Sequence, residues 1–190
     1  MVMGVSLQFL GVGRGQSIRG SLSDAGFIVA SEKTRVLVDP GCDVLEALSL
    51  AKIKDVSDIV MTGASDMQKA GVVKVKGKSG AVVERKSWGA LIVVPDARIA
   101  YVIDSVQPTE VGACDVLVLV KRDESLIEKT KPKLVILTGF DSKEWEANPV
   151  YAARDIKAKT GVQTIAAEDG LVVDLASYGA VSEQKSLGKF

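Results

Sequence analysis

A chain of 190 residues, 47% apolar and 25% charged, is long enough to bury one large core and has the composition of an ordinary globular domain. Its 24 basic and 24 acidic groups cancel, which removes any long-range pull toward nucleic acid or anionic lipid. It has no histidine, and that absence excludes Ser-His and Cys-His nucleophile systems, imidazole acid–base catalysis and every His-ligated metal site. No apolar run approaches the ~20 residues that span a bilayer, and Met1 to Leu10 lacks the charged start and cleavage site of a signal peptide. The expectation is a cytoplasmic protein with no membrane partner. Cys42 and Cys114 sit in unrelated contexts without a CxxC, and read as two buried thiols in preference to a redox pair.

In chain order, the alternation from Val5 to Leu10 predicts a strand. Gly11-Val-Gly-Arg-Gly15 follows; no helix pattern begins there, so it reads as a turn and crossing loop in preference to a phosphate-binding fingerprint. Strands are predicted over Gly26 to Ala30 and Arg35 to Val38, with a turn between them, and Asp39-Pro40-Gly41 reads as an Asx-type turn. The segment Asp43 to Lys52 predicts a helix opened by Asp43, with Val44, Leu45, Leu48 and Ala51 on the buried face. The β-branched pair Ile59-Val60 then leads to Thr62 and a turn of small and polar residues up to Gly71.

Between Val72 and Ser87 two short strand-like pieces surround Gly77 and Gly80. Lys74, Lys76, Lys78, Arg85 and Lys86 cluster there without interleaved aromatics, and they read as the solvent face of a hairpin in preference to a nucleic-acid surface. Ala90 to Val94 and Arg98 to Asp104 predict a further hairpin about Pro95-Asp96. Asp115 to Val120 is a continuous apolar strand of the kind buried on both faces, and Lys133 to Phe140 repeats it. A helix is expected over about Ser142 to Thr160, delayed or interrupted at Pro149 and closed by Gly161. Asp169-Gly170 signals a hairpin into a last strand ending at Leu175. The division expected is a single domain over residues 1–177 with a tail over 178–190.

From Leu7 to Leu175 these segments resemble, in matching order, the metallo-β-lactamase superfamily. LGVGRG resembles its glycine-rich first loop, RVLVDPG the strand that ends in an Asp-x-Gly turn, and IVMTGASDMQKAG its metal-binding loop. ARIAYVIDS is similar to the strand that ends in the metal-bridging Asp, and LTGF to the strand end that carries Thr-His-Phe. The resemblance implies an α/β (α+β) fold, a four-layer αββα sandwich with a site where the loops after Val60, Ile103 and Leu137 converge. It also implies that the site has lost its metal. The family's Thr-His-x-His-x-Asp-His, aligned on Thr62, sets its first two His on Gly63 and Ser65, its Asp on Met67 and its last His on Gln68. Gly139 stands at a later His, and Asp104 alone is kept. A hydrogen, a hydroxyl, a thioether and an amide do not replace imidazoles and a carboxylate around zinc.

Asp39 corresponds to the Asp that supports the metal loop from beneath, and Arg85 or Lys86 falls near a further family His. The resemblance therefore implies a catalytically inactive protein with a binding or scaffold role, no cofactor or metal, and a protein or small-molecule partner. One alternative is a metal-free hydrolase-like enzyme using Asp66, Lys69, Asp104 and Arg85 or Lys86 with shifted pKa values. The other, less favoured, is a nucleic-acid-binding module, because relatives process RNA or DNA. A nitrogen of Lys69, Arg85 or Lys86 is expected within ~4 Å of an Asp104 oxygen. The competing expectation is that Asp104 bonds only backbone amides or the hydroxyls of Ser65 and Thr62.

Overall fold

Period-2 alternation sorts the strands of this chain into layers, and three separate apolar cores follow from it. The computed structural model describes residues 4–13, 26–41, 44–62, 80–140 and 148–181. Its elements are β1 (Ser6–Gly11), β2 (Gly26–Ser31), β3 (Thr34–Val38), α1 (Val44–Leu50), β4 (Asp58–Val60), β5 (Val82–Lys86), β6 (Gly89–Val94) and β7 (Ala97–Val102). They continue with α2 (Pro108–Val111), β8 (Val116–Leu119), α3 (Glu124–Thr130), β9 (Leu134–Leu137), α4 (Pro149–Thr160), β10 (Thr164–Ala166), β11 (Val172–Asp174) and α5 (Leu175–Val181).

The strands form a five-stranded sheet, β11-β1-β2-β3-β4, and a six-stranded sheet, β10-β9-β8-β7-β6-β5. Both are mixed: β3 and β4 run parallel, as do β7, β8, β9 and β10, and the remaining pairs are antiparallel. One face of each sheet meets the other around Leu7, Phe9, Phe27, Val36, Ile92, Ile99, Val118 and Ile136. The opposite face of the six-stranded sheet buries Leu91, Leu117, Leu119, Val135 and Leu137 under Leu126, Ile127 and Ile156 of the helices. The opposite face of the five-stranded sheet holds Leu10, Ile28 and Leu37 under Val44, Ala47 and Leu48 of α1. Strand β8 shows why its sequence is apolar throughout: Val116 and Val118 enter the central core, Leu117 and Leu119 the helix-covered one. The order of layers is helix, sheet, sheet, helix.

Several expectations need correction in detail. On α1 the buried residues are Val44, Ala47 and Leu48, whereas Leu45 is 50% exposed. At 100° per residue, 44, 47, 48 and 51 make one stripe and residue 45 lies off it. The last helix on the six-stranded sheet starts at Pro149, with Asn148 accepting from the Val150 N–H and Gly161 closing it in the left-handed region. Residues 142–147, expected in that helix, lie outside the described residues, as do Cys42, Asp43 and 71–79. Asp169-Gly170 does turn the chain, but β10 pairs with β9 and β11 with β1, so it connects two sheets and is not the tip of a hairpin. Leu175 begins α5, which runs to Val181 with Tyr178 packed on the central core, while residues 182–190 of the expected tail lie outside the described residues. Among the described residues no helix is long and apolar enough to cross a membrane.

The two helices α3 and α4 are joined by exposed charges. Arg122 bonds both Glu124 and Asp155, and Lys159 Nζ lies 2.9 Å from Asp155 Oδ2. The Arg122 guanidinium holds both carboxyls below their ordinary values, with Lys159 adding to the effect at Asp155. A depressed carboxylate stabilises the fold above its unfolded pKa and stops doing so as pH falls through the folded value. Arg122→Gln should therefore lower Tm by roughly 1–3 °C at pH 7, and by progressively less as pH falls below the ordinary carboxylate range and both groups protonate in the fold. An equal Tm loss throughout that fall in pH, read by thermal denaturation, would assign the effect to lost packing.

Candidate functional site

Strand direction sets where chemistry can gather. Because β1 and β3 both run antiparallel to β2, the C-terminal ends of β1, β3 and β4 share one edge of their sheet. The parallel strands β7, β8 and β9 likewise end together. A hydrogen bond from the Phe140 N–H to the Val12 carbonyl, 3.0 Å long, puts these two edges at the same end of the sandwich. The residues after β1, β3, β4, β7, β8 and β9 gather at this end, the place where parallel strands usually offer ligand sites.

Asp39 is the best-anchored group there. Its backbone is left-handed (φ 45°), its N–H donates to the Val60 carbonyl at 2.8 Å, and its Oδ1 accepts from the Thr62 N–H at 2.6 Å. Its Oδ2 accepts from the Thr62 hydroxyl. Both carboxylate oxygens are thus spent on holding the start of the next loop. That loop, with Gly63, Ser65, Asp66, Met67, Gln68 and Lys69, lies outside the described residues.

Asp104, just past β7, is two-thirds exposed: its side chain has 67% relative accessibility. Its Oδ1 accepts from the Ser105 N–H at 2.8 Å and lies 3.7 Å from Lys121 Nζ. A lysine does stand within ion-pair range of Asp104, but it is Lys121, which follows β8 and was not among the candidates. Lys86 instead pairs with Glu84 at 2.9 Å. Both Arg85 and Lys86 are exposed on β5, with Lys86 opposite Gly89 and Gly89 opposite Val102, so Lys86 sits two strands, or about 10 Å, from the end of β7. Lys121-Arg122 could have been noticed in the sequence as two cations directly after a buried strand.

Position 139 bears no donor. Gly139 has φ 67°, and its backbone passes against Val120. Among the described residues the donors fit a divalent ion poorly: Asp39 already accepts two bonds from Thr62, Asp104 faces water and an ammonium, and residue 139 has no side chain. Among the described residues no three His, Cys, Asp or Glu side chains gather where an ion could sit.

At the opposite end of the sandwich a cleft of about 320 Å³ is lined by residues including Asp96, Asp115, Lys133, Leu134, Leu175 and Tyr178. Its polar wall is already paired, with Lys133 Nζ 2.9 Å from Asp115 Oδ1. Burial works to raise the Asp115 pKa, but the Lys133 ammonium and the Arg98 N–H outweigh it and leave the group below its ordinary value. Beside it, burial pushes the Cys114 thiol up to about 11, with the Asp115 charge adding to the rise, so the thiolate is scarce at neutral pH.

No family model and no curated protein matches the sequence. Solved structures do. The metallo-β-lactamase fold protein YhfI from Bacillus subtilis aligns with a TM-score of 0.65 at 11% identity, over 90% of this chain and 99% of that one. A metallo-hydrolase from the hyperthermophilic archaeon Ignicoccus hospitalis gives 0.57 at 12% identity, over 89% and 97%. The short form of human tRNase Z gives 0.54 at 11% identity, over 90% and 99%. At such identities the likeness concerns architecture, and it coincides with the two mixed sheets and outer helices described above. This chain has the metallo-β-lactamase fold.

Proposed function

We propose that this protein is a metallo-β-lactamase-fold chain without metal-dependent hydrolysis, whose cleft serves to bind or hold a protein or small-molecule partner. The observation that carries the reading is the state of Asp104, the one retained ligand: it is solvent-facing, bonded to the next backbone N–H and within 3.7 Å of Lys121. Attack by water at neutral pH needs a metal ion to acidify it or a positioned base to deprotonate it. A single carboxylate that faces water and lies beside an ammonium does not by itself hold a metal ion or aim a water at a substrate. Glycine at 139 and the histidine-free sequence add to this, because imidazole donors are missing by composition.

Of the groups on which the metal-free enzyme alternative draws, Lys86 pairs with Glu84 on the outer edge of the six-stranded sheet, which argues against a part for that residue; Asp66 and Lys69 lie outside the described residues. Turnover assays test the proposal. On β-lactam, thioester and phosphodiester substrates the untagged protein should stay at the buffer background. Turnover abolished by EDTA would restore a metallo-hydrolase, and turnover that survives EDTA would establish the metal-free enzyme; either result overturns the proposal.

A further inference from the structure

We infer that Gly139 is a joint that ties the two sheets together at the strand ends near Asp39 and Asp104, and that a side chain placed there cannot be turned into a metal ligand. The inference rests on the reading above only in taking position 139 as a former ligand position. The joint itself stands on geometry.

Strand β9 stays in its ladder up to Thr138, whose N–H donates to the Leu119 carbonyl at 2.9 Å. One residue later the backbone turns left-handed at φ 67°, and the next N–H, that of Phe140, donates to the Val12 carbonyl at 3.0 Å. A single left-handed residue thus carries the chain from the six-stranded sheet to the loop after β1 of the five-stranded sheet. Val12 is fixed in turn, since its own N–H donates to Asp169 Oδ1 at 3.0 Å, while the Gly170 N–H donates to the Phe9 carbonyl at 2.8 Å. The one bond that crosses between the sheets here, from the Phe140 N–H to the Val12 carbonyl, needs residue 139 in this conformation.

Two independent constraints then exclude a side chain. The left-handed region disfavours any L-residue with a Cβ. A Cβ built on residue 139 would also lie 2.8 Å from Val120 Cγ1 and 3.4 Å from Cγ2. Val120 cannot easily withdraw: it is 2% exposed in the central core, its N–H is bonded to the Val102 carbonyl, and a β-branched side chain has little rotamer freedom. The absence of a ligand at 139 is therefore built into the backbone path, and a single codon change would not reverse it.

A mutant cycle tests this. Gly139→Ala should lower Tm by roughly 5–12 °C, and the same change in a Val120→Ala background should lower it by about half as much, because only the backbone strain remains. The Phe140 amide should exchange at least about tenfold faster in Gly139→Ala than in wild type, at a temperature where both are folded. Gly139→His should titrate with no stoichiometric zinc; if it does not fold, Gly139→Asn, which tolerates the left-handed region best, carries the same cycle. A Gly139→Ala protein within about 1 °C of wild type, an additive cycle, or one zinc per chain in Gly139→His would overturn the joint. Zinc already present in the wild type would instead overturn the functional reading, and the stability cycle would still judge the joint.

Discussion

Phe27→Ala should cost about 3–5 kcal/mol of stability, a Tm fall of roughly 8–16 °C for a chain of this size. The ring is 2% exposed at the centre of the inter-sheet core. It stacks on Phe9 of the neighbouring strand, centroids 5.3 Å apart at 24°, and meets Tyr101 of the facing sheet edge-on at 5.1 Å and 76°. Removing it opens a cavity between sheets that cannot close without moving strands, and it also ends two aromatic contacts worth about 0.5–1.5 kcal/mol each beyond their area. Phe27→Leu keeps most of the volume and should recover more than half of the loss. Denaturant unfolding reads both variants, and a loss below about 1.5 kcal/mol in Phe27→Ala would mean that the sheets do not meet there as described.

Asp39→Ala carries the next largest effect, about 2–3 kcal/mol, because it leaves the Thr62 N–H and hydroxyl without their acceptors and puts alanine in the left-handed region. Asp39→Asn keeps an acceptor for the Thr62 N–H and tolerates that backbone, so about 1 kcal/mol is expected. Thr62→Val should fall between the wild type and Asp39→Ala, since it removes the hydroxyl alone. If Asp39→Ala unfolds with the same midpoint as the wild type, the carboxylate is not the support for this loop. The neighbouring glycine makes the same corner rigid: a Cβ on Gly26 would come 2.2 Å from the Val38 carbonyl oxygen, so the chain beneath Asp39 has no room to adjust.

The individual strands can be read from the sequence, whereas their stacking into a sandwich followed from the resemblance to the superfamily and not from periodicity. In β8 and β9 the central residues feed two different cores, and a wholly apolar run was the right signal for that. Pro149 and Gly161 marked the ends of α4 because each has a backbone role that few other residues fill. The signals that misled were local ones with tertiary answers. Asp169-Gly170 has the chemistry of a hairpin turn, yet which strands it joins depends on β1 being available to pair with β11. Leu45 is apolar and close to the helix stripe, but only its angle relative to the sheet decides its burial. Asp39 could be picked out by its place after a strand, and Asp104 by the resemblance of ARIAYVIDS to the family's strand. Lys121 could not be assigned to Asp104 without knowing that β7 and β8 lie side by side in parallel, which brings residues 104 and 121 to the same edge.

The most direct test is the metal content of the protein purified without an affinity tag, followed by zinc titration and a Tm measured with and without EDTA. The donor set described above leads to less than about 0.1 equivalents of zinc, iron or manganese per chain, no saturable zinc uptake at micromolar concentrations, and a Tm that EDTA leaves unchanged. About one tightly held metal ion per chain, with a Tm that falls when a chelator removes it, would contradict the account at its centre.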